Sequence, residues 1–92
     1  MSHVTPDRDL LHRAVHLNDH NSFGMLVQRY ATTVYAIAYG ILLDRTRAED
    51  AVEEAFLEAR RTAPNFDPRR TTVAGWLRRL ARLRAQRLAD NS

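Results

Sequence analysis

The stretch at residues 23–43 constrains this chain more than any other. Phe23, Leu26, Val27, Tyr30, Val34, Ile37, Ala38 and Ile41 recur at steps of three and four, the spacing of one helical face. The second half, from Val34 to Leu43, is apolar nearly all round. A helix apolar on every side must be wrapped by other helices, so this segment is expected to be the most buried. It is too short to span a bilayer. Ser22 is the expected cap at its start, and Asp44 with Arg45 the corner at its end.

Three more helices are read around it. The first starts at Thr5-Pro6-Asp7, with Thr5 as cap, Pro6 at the first helical position and Asp7 near the positive end. Leu10, Leu11, Ala14, Val15 and Leu17 give it an apolar side, and Asn18-Asp19-His20-Asn21 breaks it. The third, residues 46–61, opens on a capping box of Thr46 and Glu49. Its apolar stripe is Ala48, Ala51, Val52, Ala55, Phe56 and Ala59. Pro64 ends it, because the residue before a proline is pushed out of helical geometry. A loop follows, Thr71 or Thr72 caps what comes next, and the last helix is expected over residues 73–89. Val73, Trp76, Leu77, Leu80, Ala81 and Leu88 share its apolar face, with Arg78, Arg79, Arg82 and Gln86 opposite. Arg84 points along the apolar side. Either the helix has left the core there, or Arg84 pairs with a carboxylate from another helix. Without an alternating strand pattern, the expected fold is all-α, a compact bundle of four helices forming one domain over residues 1–92.

Charge divides the chain in two. Its 92 residues carry a net charge of +3, and every basic side chain other than histidine is arginine. Up to Ala59 there are five arginines against nine acids, a net −4; from Arg60 onward there are nine against two, a net +7. A bipolar chain of this kind suggests two partners of opposite charge. On the acidic helix, Leu57 sits amid Asp50, Glu53, Glu54 and Glu58. It is either one stray exposed leucine on a solvated face or the apolar centre of a docking surface. On the basic side, an arginine-studded helix behind a loop suits phosphate, and Phe66 and Trp76 could stack on bases, though Trp76 also fits the core stripe. Four phosphate contacts would give a logarithmic salt slope of only about −3, so the domain needs a second anchor. The acidic helix is the natural one.

Other chemistry finds little support. With no cysteine there is no disulfide framework and no thiolate site. His12, His16 and His20 are spaced by four, but the break at Asn18 takes His20 off their face, and no metal or other cofactor is expected. No nucleophile and base fall in a recognisable arrangement, so the chain is not expected to be an enzyme. No signal or membrane-spanning pattern is present, and the expected location is cytoplasmic.

Four blocks in order resemble the second conserved region of bacterial sigma factors, most of all the extracytoplasmic-function group. They are Phe23-Gly24-Met25-Leu26-Val27-Gln28-Arg29-Tyr30 with Val34-Tyr35-Ala36-Ile37-Ala38; Asp44 with the run from Ala48 to Leu57; Phe66-Asp67-Pro68; and Gly75-Trp76-Leu77 with Leu80-Ala81-Arg82. The resemblance covers nearly the whole chain. It implies a transcription initiation domain whose acidic helix docks on a coiled coil of the RNA polymerase beta-prime subunit, through Asp50, Glu53, Glu54 and Leu57. It also implies that the loop and last helix bind the non-template strand of the minus-ten promoter element, the loop capturing a flipped base. Carried over by position, these residues are Phe66, Arg69, Arg70, Thr71 and Thr72, with Arg78, Arg79, Arg82 and Gln86. An anti-sigma factor is a further possible partner; a membrane is not expected.

The chain departs from that family at three points. Leu83 stands where asparagine, able to read base edges, is usual. Glu53 replaces a common glutamine, and Gly75 before Trp76 leaves one aromatic where larger sigma factors have a pair. The second domain, which binds the minus-thirty-five element, is absent from this sequence, as in an excised fragment or a free-standing relative. Two rivals stand beside the promoter-reading expectation. One is a protein of this fold that binds polymerase or an anti-sigma factor without reading DNA; the other is an unrelated helix-turn-helix module, which would not need Asp50, Glu53 and Glu54.

Overall fold

The structure, a computed structural model, describes residues 4–91. Four helices follow in order: α1 Asp7–His16, α2 His20–Leu42, α3 Arg45–Thr62 and α4 Val73–Asp90. A 3-10 turn, Ala63–Asn65, closes α3 and contains Pro64. No strand occurs among the described residues, and the all-α expectation is met. Nor is any described helix long and apolar enough to cross a membrane.

The long helix α2 is the axis of the fold and packs against each of the other three. Its buried side chains form two layers. In the first, Leu10 and Leu11 of α1 meet Phe23, Leu26 and Val34 of α2, Phe56 of α3, and Val73 and Leu77 of α4. In the second, Ala38 and Leu42 meet Ala48 and Ala51 of α3 and Ala85 of α4. Small side chains dominate this second layer, which lets the helix axes approach closely. Ala38, Ala48, Ala51 and Ala85 are fully buried.

The second half of α2 is not wrapped all round. Val34, Ala38 and Leu42 are buried, whereas Ala36, Tyr39, Gly40 and Leu43 face solvent. The ten-residue α1 contributes nothing to the second layer, which is closed by α3 and α4 alone. Tyr35 and Tyr39 stack on that half of the helix, with ring centroids 6.0 Å apart.

Three helix starts differ from the expected caps: α1 begins one residue downstream, α2 and α3 upstream. The first helix is preceded by Pro6, not capped by Thr5, and Pro6 is extended rather than at the first helical position (φ −58°, ψ 147°). Its carbonyl accepts the N–H groups of Asp9 and Leu10. Asp19, not Ser22, caps α2, accepting from the N–H groups of Asn21 and Ser22. Ser22 is buried instead and donates its hydroxyl to Asp19 at 2.9 Å. Those bonds, the hydroxyl of Ser22 first, hold the Asp19 carboxyl below its ordinary range despite the opposing effect of burial. The third helix is capped by Asp44, whose carboxylate accepts the N–H of Arg47 at 2.9 Å. The Thr46–Glu49 capping box therefore does not form, and Glu49 pairs with Arg45 at 3.3 Å. In α2 and α3 an aspartate sits with extended backbone just before the helix. A carboxylate there reaches the first free N–H groups and complements the positive helix end. At α4 the expectation is met by Thr72, which accepts the N–H of Gly75 at 3.0 Å.

Two polar links tie the bundle together. Asp7 accepts from Arg29 at 2.6 Å and from the hydroxyl of Tyr30, and Arg29 also donates to the carbonyl of Thr5 at 2.8 Å. This latch holds the start of α1 against α2. Burial first, and then the Asp7 carboxylate, push the Tyr30 hydroxyl above its usual value. At the other end, Arg47 of α3 donates to the carbonyl of Leu88, near the negative terminus of α4.

Candidate functional site

The acidic face of α3 is built from residues whose helical angles surround Leu57. Asp50 and Glu53 are exposed, Glu54 is half-buried, and none of the three forms an ion pair among the described residues. Leu57 is 62% exposed, so it is not core. It lies at the edge of a groove of about 650 Å³ between α2 and α3. Phe23, Val27, Ala31 and Tyr35 form the α2 wall; Val52, Phe56 and Leu57 form the α3 wall. Glu49 and Glu53 stand on the same groove, and His20 and Arg60 close one end. Arg60 contacts the ring nitrogen of His20 and lies 5.8 Å above the Phe23 ring. The docking surface expected from α3 alone thus has a second wall supplied by α2.

Glu58 behaves differently from the other acids. It bonds to Arg61 at 2.5 Å and to Arg84 at 3.0 Å. This settles the placement of Arg84: α4 has not left the core, and the guanidinium pairs with a carboxylate of α3. The hydrogen bond from Arg61, with the charges of Arg61 and Arg84, holds the Glu58 carboxyl below its ordinary value although burial opposes it. The same bond raises Arg61.

The basic face of α4 is free. Arg78, Arg79, Arg82 and Gln86 are exposed and make no hydrogen bond or ion pair among the described residues. Leu83, 49% exposed, lies on the same side of the helix. The loop before α4 is a turn organised by Asp67, which accepts the N–H of Arg69 at 2.9 Å and its Nε at 3.2 Å. The backbone bond from Arg69, followed by the side-chain bond, lowers the Asp67 carboxyl. Arg69 is therefore paired, whereas Arg70 is exposed and its side chain makes no hydrogen bond or ion pair among the described residues, acting on Asp67 only through its charge. The Arg69 side chain is 89% exposed, and such a surface pair opens at little cost.

The aromatic pair is engaged with itself. Phe66 and Trp76 are half-buried, pack against the core, and hold their ring centroids 5.1 Å apart at 48°. Trp76 takes its stripe position. Phe66 keeps a surface toward a cleft of about 250 Å³ that it lines with Pro68, Thr71, Thr72 and Val73. Gly75 lies close beneath this loop: a Cβ there would stand 3.0 Å from the Thr71 hydroxyl and 3.2 Å from the Thr72 hydroxyl, so one of these side chains would have to shift.

Sequence reading missed α1 and α2 at both sites. Pro6, Asp7 and Arg8 complete the loop cleft, and Phe23, Val27 and Tyr35 complete the groove. Spacing places Phe23 and Val27 on the apolar stripe of α2 but does not show which segment they face, since their groove partners lie far along the chain. Among the histidines, His12 and His16 stay together with ring centroids 4.4 Å apart, while His20 starts α2 and turns to Arg60.

Comparisons with known proteins agree with the resemblance. The family model described as sigma-70 region 2 matches residues 26–91. An ECF RNA polymerase sigma factor SigK of Mycobacterium sp. (strain KMS) is 33% identical over 82 residues, covering 89% of this chain and 42% of the relative. The protein of the same name from Mycobacterium ulcerans (strain Agy99) is 29% identical over 79 residues, 86% of this chain and 42% of the relative. That of Mycobacterium tuberculosis (strain ATCC 25177 / H37Ra) is 29% identical over 82 residues, 89% of this chain and 44% of the relative. The chain spans less than half the length of these curated relatives. No solved structure matches it.

Proposed function

Because the chain belongs to the sigma-70 region 2 family, we propose that it is a non-enzymatic transcription initiation domain with two separate grips. The acidic face of α3 docks on the beta-prime coiled coil of RNA polymerase, with Asp50, Glu53 and Glu54 around Leu57. The loop and α4 bind the non-template strand of the minus-ten element, through Phe66, Arg69, Arg70, Thr71 and Thr72 and then Arg78, Arg79, Arg82 and Gln86. The cleft beside Phe66 receives the flipped base. Flipping costs a few kcal/mol and is cheapest where the duplex is already opening, which suits a domain working inside the polymerase complex.

One observation carries this reading. The free carboxylates of α3 and the free guanidinium groups of α4 do not neutralise one another; between these helices only Glu58 and Arg84 are joined by side-chain charge among the described residues. Charge left unpaired on two helices of one small domain fits two partners of opposite sign.

The test pairs two variants. Asp50→Arg with Glu53→Arg should abolish binding to a beta-prime coiled-coil fragment and leave single-strand binding intact. Arg79→Ala with Arg82→Ala should do the reverse, lowering the salt slope for a single-stranded oligonucleotide by about 1.4. Loss of neither activity would defeat the proposal.

A second reading is favoured by Leu83, which cannot hydrogen-bond a base edge. In it the domain binds polymerase or an anti-sigma factor without reading DNA. It predicts that the acidic variant still loses polymerase binding, while single strands of any sequence bind the parent chain equally poorly.

A further inference from the structure

Two clefts flank a single ridge where α1 meets the loop. The loop cleft of about 250 Å³ lies on one side. On the other is a cleft of about 180 Å³, floored by Leu11 and Val15 and bordered by His12, His16 and Pro64. Arg8, Phe66 and Pro68 line both.

We propose that this second cleft is a nucleotide subsite on α1, adjacent to the base-capturing cleft, and that Arg8 holds the backbone phosphate between the two nucleotides. The inference rests on the DNA-binding reading above and adds α1 to the strand's path. Its occupant is a single-stranded nucleic acid, and the charge distribution says why. Arg8 is exposed and makes no hydrogen bond or ion pair among the described residues, so its guanidinium meets a phosphate without breaking an existing bond. Asp7, the carboxylate lining the loop cleft, is engaged by Arg29 and Tyr30 and does not repel the strand as a free acid would. Asp9 lines neither cleft.

The chemistry of the second cleft suits a base. Leu11 and Val15 supply an apolar floor, and the paired imidazoles of His12 and His16 supply flat, polar-edged walls. Stacking of this kind accepts any base, because every base has a π-face. Phe66 and Pro68 stand between the subsites, so neighbouring bases separate around the ridge while their shared phosphate passes Arg8.

The experiment uses the 92-residue chain with the beta-prime coiled-coil fragment and the tightest single strand selected from a randomised oligonucleotide pool. Arg8→Gln should lower the salt slope by about 0.7, equivalent to a loss of about fivefold at 0.1 M salt, with no change in melting temperature. An abasic scan of the selected strand should find two neighbouring sensitive positions, one of them blunted by His12→Ala. The proposal is overturned if Arg8→Gln leaves the slope unchanged while Arg79→Ala still lowers it, or if only one abasic position matters. If neither arginine affects binding, the DNA-binding reading itself fails and this subsite with it.

Discussion

Arg84 Nη2 stands 3.0 Å from Glu58 Oε2, which joins α4 to α3 at the point where the apolar stripe of α4 is interrupted by a charge. Both side chains are about one-fifth exposed, and Glu58 is bonded to Arg61 as well. One carboxylate therefore compensates a guanidinium that would otherwise be half-buried without a partner. Arg84→Ala should be tolerated better than Glu58→Ala, since the second leaves a cation against the core. Thermal melts of the two variants check the order.

The same pair gives a pH signature. The folded-state pKa of Glu58 is depressed, chiefly by Arg61 and then by Arg84. Its contribution is fully present above the unfolded value, about 4.3, and is lost as pH falls through the lower folded value. The melting-temperature gap between the parent chain and Glu58→Gln should hold steady from neutrality to about pH 5 and then close below about 4.3. A gap that persists into stronger acid would show that packing, not charge, is what the substitution removed.

Leu57→Ala should leave stability nearly unchanged, because the side chain is 62% exposed. Binding to the beta-prime fragment should weaken, as expected for the apolar centre of an interface ringed by charge. Calorimetric titration beside a thermal melt separates the two effects.

Leu43 ends α2 with a left-handed backbone (φ 53°, ψ 30°), its N–H donating to the carbonyl of Tyr39 at 2.8 Å. It is 73% exposed, so little burial is at stake. A left-handed leucine costs roughly 1–2 kcal/mol, offset in part by the extra freedom glycine gives the unfolded chain. Leu43→Gly should accordingly stabilise the domain by up to about 1 kcal/mol in chemical denaturation. A loss of stability would mean that Leu43 packs in solution.

The latch at α1 should matter more. Asp7→Ala removes the acceptor for Arg29 and Tyr30, both partly buried, and should cost about 1–3 kcal/mol. Hydrogen exchange at Leu10 and Leu11 should quicken first, since α1 is held chiefly against α2.

Much of this molecule was legible in the order of its residues. Periodicity located four helices and named most of the core: Leu26, Val34, Ala51, Phe56 and Leu77 are buried as their spacing requires. At α4 the sequence offers Thr71 or Thr72, and the structure selects Thr72, whose hydroxyl accepts the N–H of Gly75. Ser22 and Thr46 were not caps because Asp19 and Asp44 lie upstream and their carboxylates reach the free N–H groups first. Neighbouring polar residues look equivalent to a spacing argument; the path of the incoming chain decides between them.

Sequence alone determined which faces are apolar, which are acidic and which are basic, since helical period follows from backbone geometry and needs no neighbour. Only the tertiary structure decided that Glu58 is spent on Arg84, that Tyr39 stays partly exposed against Tyr35, and that Phe66 leans on Trp76. It also set Arg8 beside a loop some sixty residues away in the chain. Contacts of that kind depend on where helices cross, and crossing is fixed by the joint packing of side chains from several segments at once.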